Sequence, residues 1–161
     1  VLAGNTSSRL DKNLVRGKQT ALNAGTHYDI ISREMPLFSV MAMPAEGVKT
    51  DTLIAQLRQE IKDIADNGVS EEELQRVKTQ AAVSEIYAKD SMSSQASMMG
   101  RLEARGFQYT DEQEIHRRLQ AVSAQEVQAA ARMLTDERMS TVIIEPQKPA
   151  AAPSKKAAKR R

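Results

Sequence analysis

Two short stretches constrain this chain more than any others: Val69-Ser70-Glu71-Glu72-Glu73-Leu74 and Val122-Ser123-Ala124-Gln125-Glu126-Val127. Each reads Ser-x-x-Glu between two apolar residues. The serine hydroxyl accepts the amide proton three residues on, the glutamate reaches back to the serine amide, and the flanking apolar pair clamps the first turn. Such a pattern starts a helix and fixes its direction. Asn67-Gly68 lies just before the first box and supplies a left-handed stop for a preceding helix, in which Leu53, Leu57, Ile61 and Ile64 recur at helical spacing. After the first box, Leu74, Val77, Ala81 and Ile86 trace one face to about Asp90. From Ser91 to Gly100, methionines among serines leave open whether the helix kinks, breaks or continues to Arg105. Gly106 closes that stretch, and Thr110-Asp111-Glu112-Gln113 opens a further helix carrying Ile115 and Leu119.

The first third reads differently. Leu10, Leu14 and Val15 fit a short helix behind Thr6, Ser7 and Ser8 as caps, closed by Gly17. From Ala21 to Ile31 the pattern alternates, with Leu22, Ala24, Thr26, Tyr28 and Ile30 on one face and Asn23, Gly25, His27 and Asp29 on the other. Arg33-Glu34-Met35-Pro36 breaks this strand, and Leu37 to Met43 forms a second, so the pair is expected to make an antiparallel hairpin across a short polar turn. Met139 to Glu145 is apolar and β-branched and is expected to be a last strand rejoining that sheet. The fold class expected is α+β: an antiparallel sheet with helices packed on one face, in the order αββααααβ. Residues 1–146 form the domain, and 147–161 a flexible Pro/Ala/Lys/Arg tail. Three strands make a thin sheet, and Val1 is not a Met, so a first strand is expected upstream and the chain is treated as a piece of something larger.

Composition removes several functions. There is no Cys, hence no disulfide, thiolate nucleophile or thiolate-bound metal, and the compartment is left open between periplasm and cytoplasm. Five of the last seven residues are basic, so the formal charge of +2 becomes −3 once those five are set aside. A slightly acidic folded part argues against nucleic acid as a partner. No apolar run approaches the roughly 20 residues needed for a membrane span.

The chemistry-bearing residues do not assemble into a known site. His27 and His116 are the only histidines, and Glu112, one turn before His116, is expected to pair with it as an exposed i,i+4 contact rather than as a metal ligand. No Gly-x-Ser-x-Gly elbow presents a serine, so Ser91, Ser93 and Ser94 read as surface residues, and no glycine spacing fits a phosphate-cradling loop. No catalytic or metal-ligating residue is assigned. Tyr28 is expected to pack in the core and His27 to be solvated or hydrogen-bonded.

Three stretches, in order, resemble a known family: Thr6-Ser7-Ser8-Arg9-Leu10 leading to Leu14-Val15-Arg16-Gly17-Lys18; Asn67-Gly68-Val69-Ser70-Glu71-Glu72-Glu73-Leu74-Gln75-Arg76-Val77-Lys78; and Leu119-Gln120-Ala121-Val122-Ser123-Ala124-Gln125-Glu126-Val127. Together they resemble the zinc-motif-lacking C-terminal domain of insulinase/pitrilysin-like zinc metallopeptidases, relatives of mitochondrial processing peptidase and the respiratory core proteins. The resemblance implies paired homologous α+β domains around a substrate chamber. No cofactor is then expected on this chain, and zinc with its inverted His-x-x-Glu-His motif belongs to a homologous N-terminal domain or partner chain. It implies peptide as the substrate and places Arg16 at the position of a substrate-holding Arg. Seven residues on, where the family often has Tyr, stands Asn23; Tyr28 lies further along the strand. Arg16, Asn23 and Tyr28 are therefore the candidate substrate-binding residues. The function expected is the non-zinc-binding half of a zinc-dependent endopeptidase, with a non-catalytic assembly domain of the same family as the alternative.

Overall fold

The computed structural model describes residues 1–145; the tail expected over 147–161 lies outside them. A helical segment begins at Arg9 and winds as a π-helix over Asp11–Gly17, followed by strand β1 (Ala21–His27) and strand β2 (Ser39–Pro44). Five α-helices follow: α1 (Thr50–Asn67), α2 (Glu71–Lys89), α3 (Met92–Ala104), α4 (Asp111–Ala121) and α5 (Ala124–Arg132), with a 3-10 turn at Asp136–Arg138. The fold is α+β, with a two-stranded antiparallel sheet and the expected order of a helix, two strands and then helices, but without the last strand among the described residues. No helix among the described residues is long and apolar enough to cross a membrane.

The core forms where the N-terminal segment, the hairpin and α1 meet. Leu10, Leu14, Ala21 and Leu53 are buried together, and Ala24, Val40, Ala42 and Leu57 pack around them. Leu10, Leu14 and Leu102 are fully enclosed. Polar contacts tie the same elements: Asn13 Nδ2 donates to Glu60 Oε2 at 2.7 Å and Thr20 Oγ1 to Gln56 Oε1 at 2.5 Å. Below the core, α5 lies along α1, with Gln128 Nε2 donating to the Ala65 and Asp66 carbonyls and Arg132 Nε to Ala65. These bonds satisfy carbonyls that the end of α1 leaves without helical partners.

Helix punctuation largely follows the sequence. Gly68 ends α1 at φ 75°, Ser70 Oγ accepts from the Glu73 amide at 3.1 Å, and at Ser123–Glu126 both halves of the capping box form. The first box is half-made. Its glutamate does not reach back to Ser70, because Arg9 takes it: Arg9 Nε and Nη2 donate to Glu73 Oε1 and Oε2 at 3.0 and 2.9 Å. The same guanidinium donates to Asp63 Oδ2 at 2.7 Å and to the Gly68 carbonyl at 3.1 Å. A bidentate charged pair outweighs a neutral amide bond, so the box gives way to a clamp across three elements. At Thr110 no side-chain cap forms; Asp111 Oδ2 accepts from the Gln108 amide at 2.8 Å instead.

Four further expectations are corrected. The hairpin connection is not short: residues 28–38 form a long loop, held by an Asp29–Arg105 ion pair and by Arg33 Nε donating to the Arg105 carbonyl at 2.8 Å. The alternation in β1 is interrupted by a bulge between Ala21 and Asn23, which turns Leu22 outward to 60% exposure. Tyr28 does not pack in the core: the strand stops at His27, leaving Tyr28 half exposed and tilted against Phe38 with ring centroids 6.4 Å apart. Residues 139–145 belong to neither helix nor strand, and Val142 and Ile144 stand 83% and 92% exposed, since no sheet edge lies alongside to take up their backbone bonds. The helix after the first box breaks at Asp90, and Ser91 caps α3 by accepting from the Ser94 amide at 3.3 Å.

Candidate functional site

The N-terminal helical segment and β1 carry the candidate binding residues, with Arg16 before the strand, Asn23 on it and Tyr28 just past its far end. Arg16 lies in the last turn of the π-helix, where the Lys18 amide bonds back to the Asn13 carbonyl at 2.8 Å. The wide winding depends on Gly17: a Cβ there would meet the Lys12 carbonyl oxygen at 2.8 Å, closer than real contacts allow. π-helical insertions are rare and recur at functional sites. Arg16 is exposed; its Nε lies 2.9 Å from Asp11 Oδ2, yet that oxygen is buried without a hydrogen-bonding partner, so the two form an ion pair of poor alignment. The guanidinium keeps most of its donors for something else.

Asn23 stands on the outward face of β1, opposite Met43; Gly25 faces Met41 and His27 faces Ser39 across the same ladder. This face is mixed and open, with Met41 and Met43 62% and 52% exposed. The inward face, with Ala24, Val40 and Ala42, closes on the core. Tyr28 sits just past the strand against Phe38. No side-chain hydrogen bond joins Arg16, Asn23 and Tyr28 among the described residues; the fold sets them at the segment end, on the strand and after it.

His116 does pair with Glu112, but its closer partner comes from another helix: Nδ1 lies 2.9 Å from Glu85 Oε2, while Nε2 is 3.8 Å from Glu112 Oε1. Glu85 also receives Lys89 Nζ at 2.6 Å. The three carboxylate and imidazole groups do not converge on one point, and no group of three His, Asp or Glu among the described residues is arranged to hold a metal ion. Ser91 and Ser93 bond each other at 3.1 Å at the start of α3 and meet no base.

Two residues near Arg16 escaped the sequence reading. Lys12 and Arg76, together with Ser7, Arg16 and Gly17, line a shallow depression of about 500 Å³ between the N-terminal segment and α2. Arg76 lies three residues after Glu73, and the Arg9–Glu73 clamp that anchors α2 to the N-terminal segment brings it there. The only sequence signal available was the helical spacing of Glu73 and Arg76, which reads first as a solvated face.

The family model for the "Peptidase M16 inactive domain" matches residues 1–81, half of the chain and the part that holds the core, the hairpin and the clamp. The chain belongs to this family. Solved structures share the fold of this M16 inactive domain. The inactive peptidase domain of a provisionally named zinc protease from Bordetella parapertussis superposes with a TM-score of 0.78 at 20% identity, over 95% of this chain and 81% of that one. A provisionally named zinc protease from Bordetella pertussis Tohama I gives 0.67 at 20% identity, covering 81% and 71% of the two chains. A protease from Helicobacter pylori gives 0.70 at 17% identity; it matches over 80% of this chain, which spans 31% of that longer protein. No curated protein matches the chain. An inactive domain of M16 type implies a partner domain in the full protease.

Proposed function

We propose that this M16 inactive domain is the non-zinc-binding half of a zinc-dependent endopeptidase, walling part of a substrate chamber and holding extended peptide. The observation that carries the reading is the open hairpin: β1 and β2 pair only with each other among the described residues, so each keeps an outer row of backbone donors and acceptors. An extended peptide adds to such an edge as another strand, with main-chain bonds for affinity and side-chain contacts for selection. Asn23 and His27 on the outward face, Tyr28 beyond it and Arg16 at its approach are polar groups suited to that contact. Zinc and the general base are assigned to the partner domain, and peptide hydrolysis requires both halves.

Bound zinc and cleavage of an unstructured peptide, measured for the chain alone and with its zinc-motif partner domain, test the reading. Zinc and cleavage are expected only in the mixture. Stoichiometric zinc on this chain alone would overturn it. The departure at Asn23, an amide where a phenol could polarise a substrate carbonyl, favours a second reading as a non-catalytic assembly domain. In that case the mixture forms a stable complex that cleaves nothing, and the partner lacks an intact His-x-x-Glu-His.

A further inference from the structure

We infer that Gly25 is the floor of a side-chain subsite on the outward face of the hairpin, and that the peptide held there presents an aromatic residue to it; this rests on the peptide-holding reading above. In the ladder Gly25 stands opposite Met41, with Asn23 opposite Met43 on one side and His27 opposite Ser39 on the other. A Cβ at Gly25 would meet no atom within 4 Å, so the face is notched where a side chain is missing. Met41, across the notch, is 62% exposed. Neither strand contains Asp, Glu, Lys or Arg. An uncharged trough takes an uncharged side chain at no cost in buried charge, whereas a lysine laid in it would be partly desolvated without a counter-ion.

The fold itself gives no reason for glycine at this position. Glycine weakens a strand, and inside one it marks a bulge, a sharp bend or the close approach of another molecule. The bulge of β1 lies between Ala21 and Asn23, and the register then runs without a shift to His27. The glycines with left-handed backbone are Gly4, Gly47, Gly68 and Gly106, and among the described residues no atom crowds Gly25. Close approach by a ligand is the remaining use. Neighbouring strands lie about 4.8 Å apart, so a peptide paired on the outer rim of β1 sets one side chain beside Gly25. An aromatic ring in that place lies across the glycine, covers its backbone and brings its edge to the Met41 thioether, a favourable sulfur–aromatic contact. A methyl group is too short to span the gap.

The test uses the 161-residue chain and three labelled peptides, with fluorescence anisotropy as the readout. All share one uncharged, strand-forming sequence blocked at both ends, with Ala, Phe or Lys at the central position. The Phe peptide is expected to bind about tenfold tighter than the Ala peptide, the gain from partly burying a ring, and the Lys peptide no tighter than Ala. Gly25→Val fills the notch with a side chain that suits a strand and meets no atom there, so folding is expected to be retained, with circular dichroism as the check. In that variant the Phe preference should fall to about twofold or less while the Ala peptide still binds. Met41→Ala, at an exposed position, should reduce the preference by about threefold. A Phe preference untouched by both substitutions overturns the inference. Equal binding of all three peptides to the unaltered chain also overturns it, but leaves the peptide-holding reading standing. If none binds, both fall.

Discussion

The hairpin and α1 on one side and helices α2 to α4 on the other are built on different principles. In the first region apolar side chains do the holding: Leu10, Leu14, Ala21 and Leu53 close on one another, Ile61 and Ile64 of α1 are buried as well, and α5 lies along that helix. In the second, α2 buries only Leu74, α3 only Leu102 and α4 no residue, while Ile86, Tyr87 and Met92 stand 64%, 71% and 86% exposed. What attaches these helices is polar: Gln120 Nε2 to the Lys78 carbonyl at 3.1 Å, His116 to Glu85, and Arg105 to Asp29. The comparison teaches that good helix punctuation and good burial are separate properties. A box and a staple start α2 as surely as they start α5, but only α5 finds a broad surface to lie on.

The contrast breaks first if core truncation is cheap. Leu14→Ala should cost about 2–5 kcal/mol in denaturant unfolding, the range for a buried leucine whose cavity cannot collapse, whereas Ile86→Ala should stay within about 0.5 kcal/mol. Equal effects would mean that α2 is packed as tightly as the core.

The clamp between the two regions comes next. Arg9→Ala leaves Glu73 and Asp63 facing each other without their cation and should destabilise by about 1–3 kcal/mol in thermal unfolding. Its pH dependence is a sharper test. The hydrogen bonds from Arg9 hold the Glu73 carboxyl below its ordinary value of 4.5, so this stabilisation is present above that value and is lost as pH falls below it through the lowered folded-state value. Arg9→Ala should remove that acid-side loss, flattening the pH profile of the melting temperature at low pH.

A smaller effect separates the two capping boxes. Ser123→Ala removes a complete box and should cost about 1 kcal/mol. Ser70→Ala removes one bond of a start that Arg9 already secures and should cost less, about 0.5 kcal/mol, both read from chemical denaturation. A reversed order would show that the clamp depends on the cap. Last, Arg105→Ala frees the loop over residues 28–38 from Asp29; the pair is partly solvated, so stability should change by about 0.5 kcal/mol or less. Limited proteolysis within that loop should nevertheless quicken, because its Asp29 tether is lost and only the Arg33 bond to the backbone carbonyl of residue 105 remains.

Much of this was legible in the sequence because it is local. Ser70, Ser123, Gly68 and Gly106 act within one turn of chain, and their spacing is enough to place starts and stops. The M16 resemblance was legible from three such stretches in order. What the sequence hid is relational. Ile86 and Leu53 look alike in a helical repeat, and only the presence or absence of an opposing surface separates them. Leu22 leaves its expected face because one extra residue in β1 shifts the ladder, and residues 139–145 carry strand-forming side chains without a neighbouring edge. The candidate site divides likewise. Arg16 could be named from its motif, but Lys12 and Arg76 become neighbours only through the Arg9–Glu73 clamp, which the pattern had assigned to a simple cap.

The hairpin, whose strands pair only with each other among the described residues, has a consequence for counting. A strand pair with two outer rims is bivalent: filling one rim does nothing to occlude the other, and the two rims point in opposite directions. Saturation with a strand-forming ligand can then exceed one per chain, and a ligand able to pair on both of its own sides could bridge molecules into a chain of chains. Molecular mass under increasing peptide, rather than affinity alone, therefore reports whether a neighbouring domain normally covers one rim and reduces the valence to one.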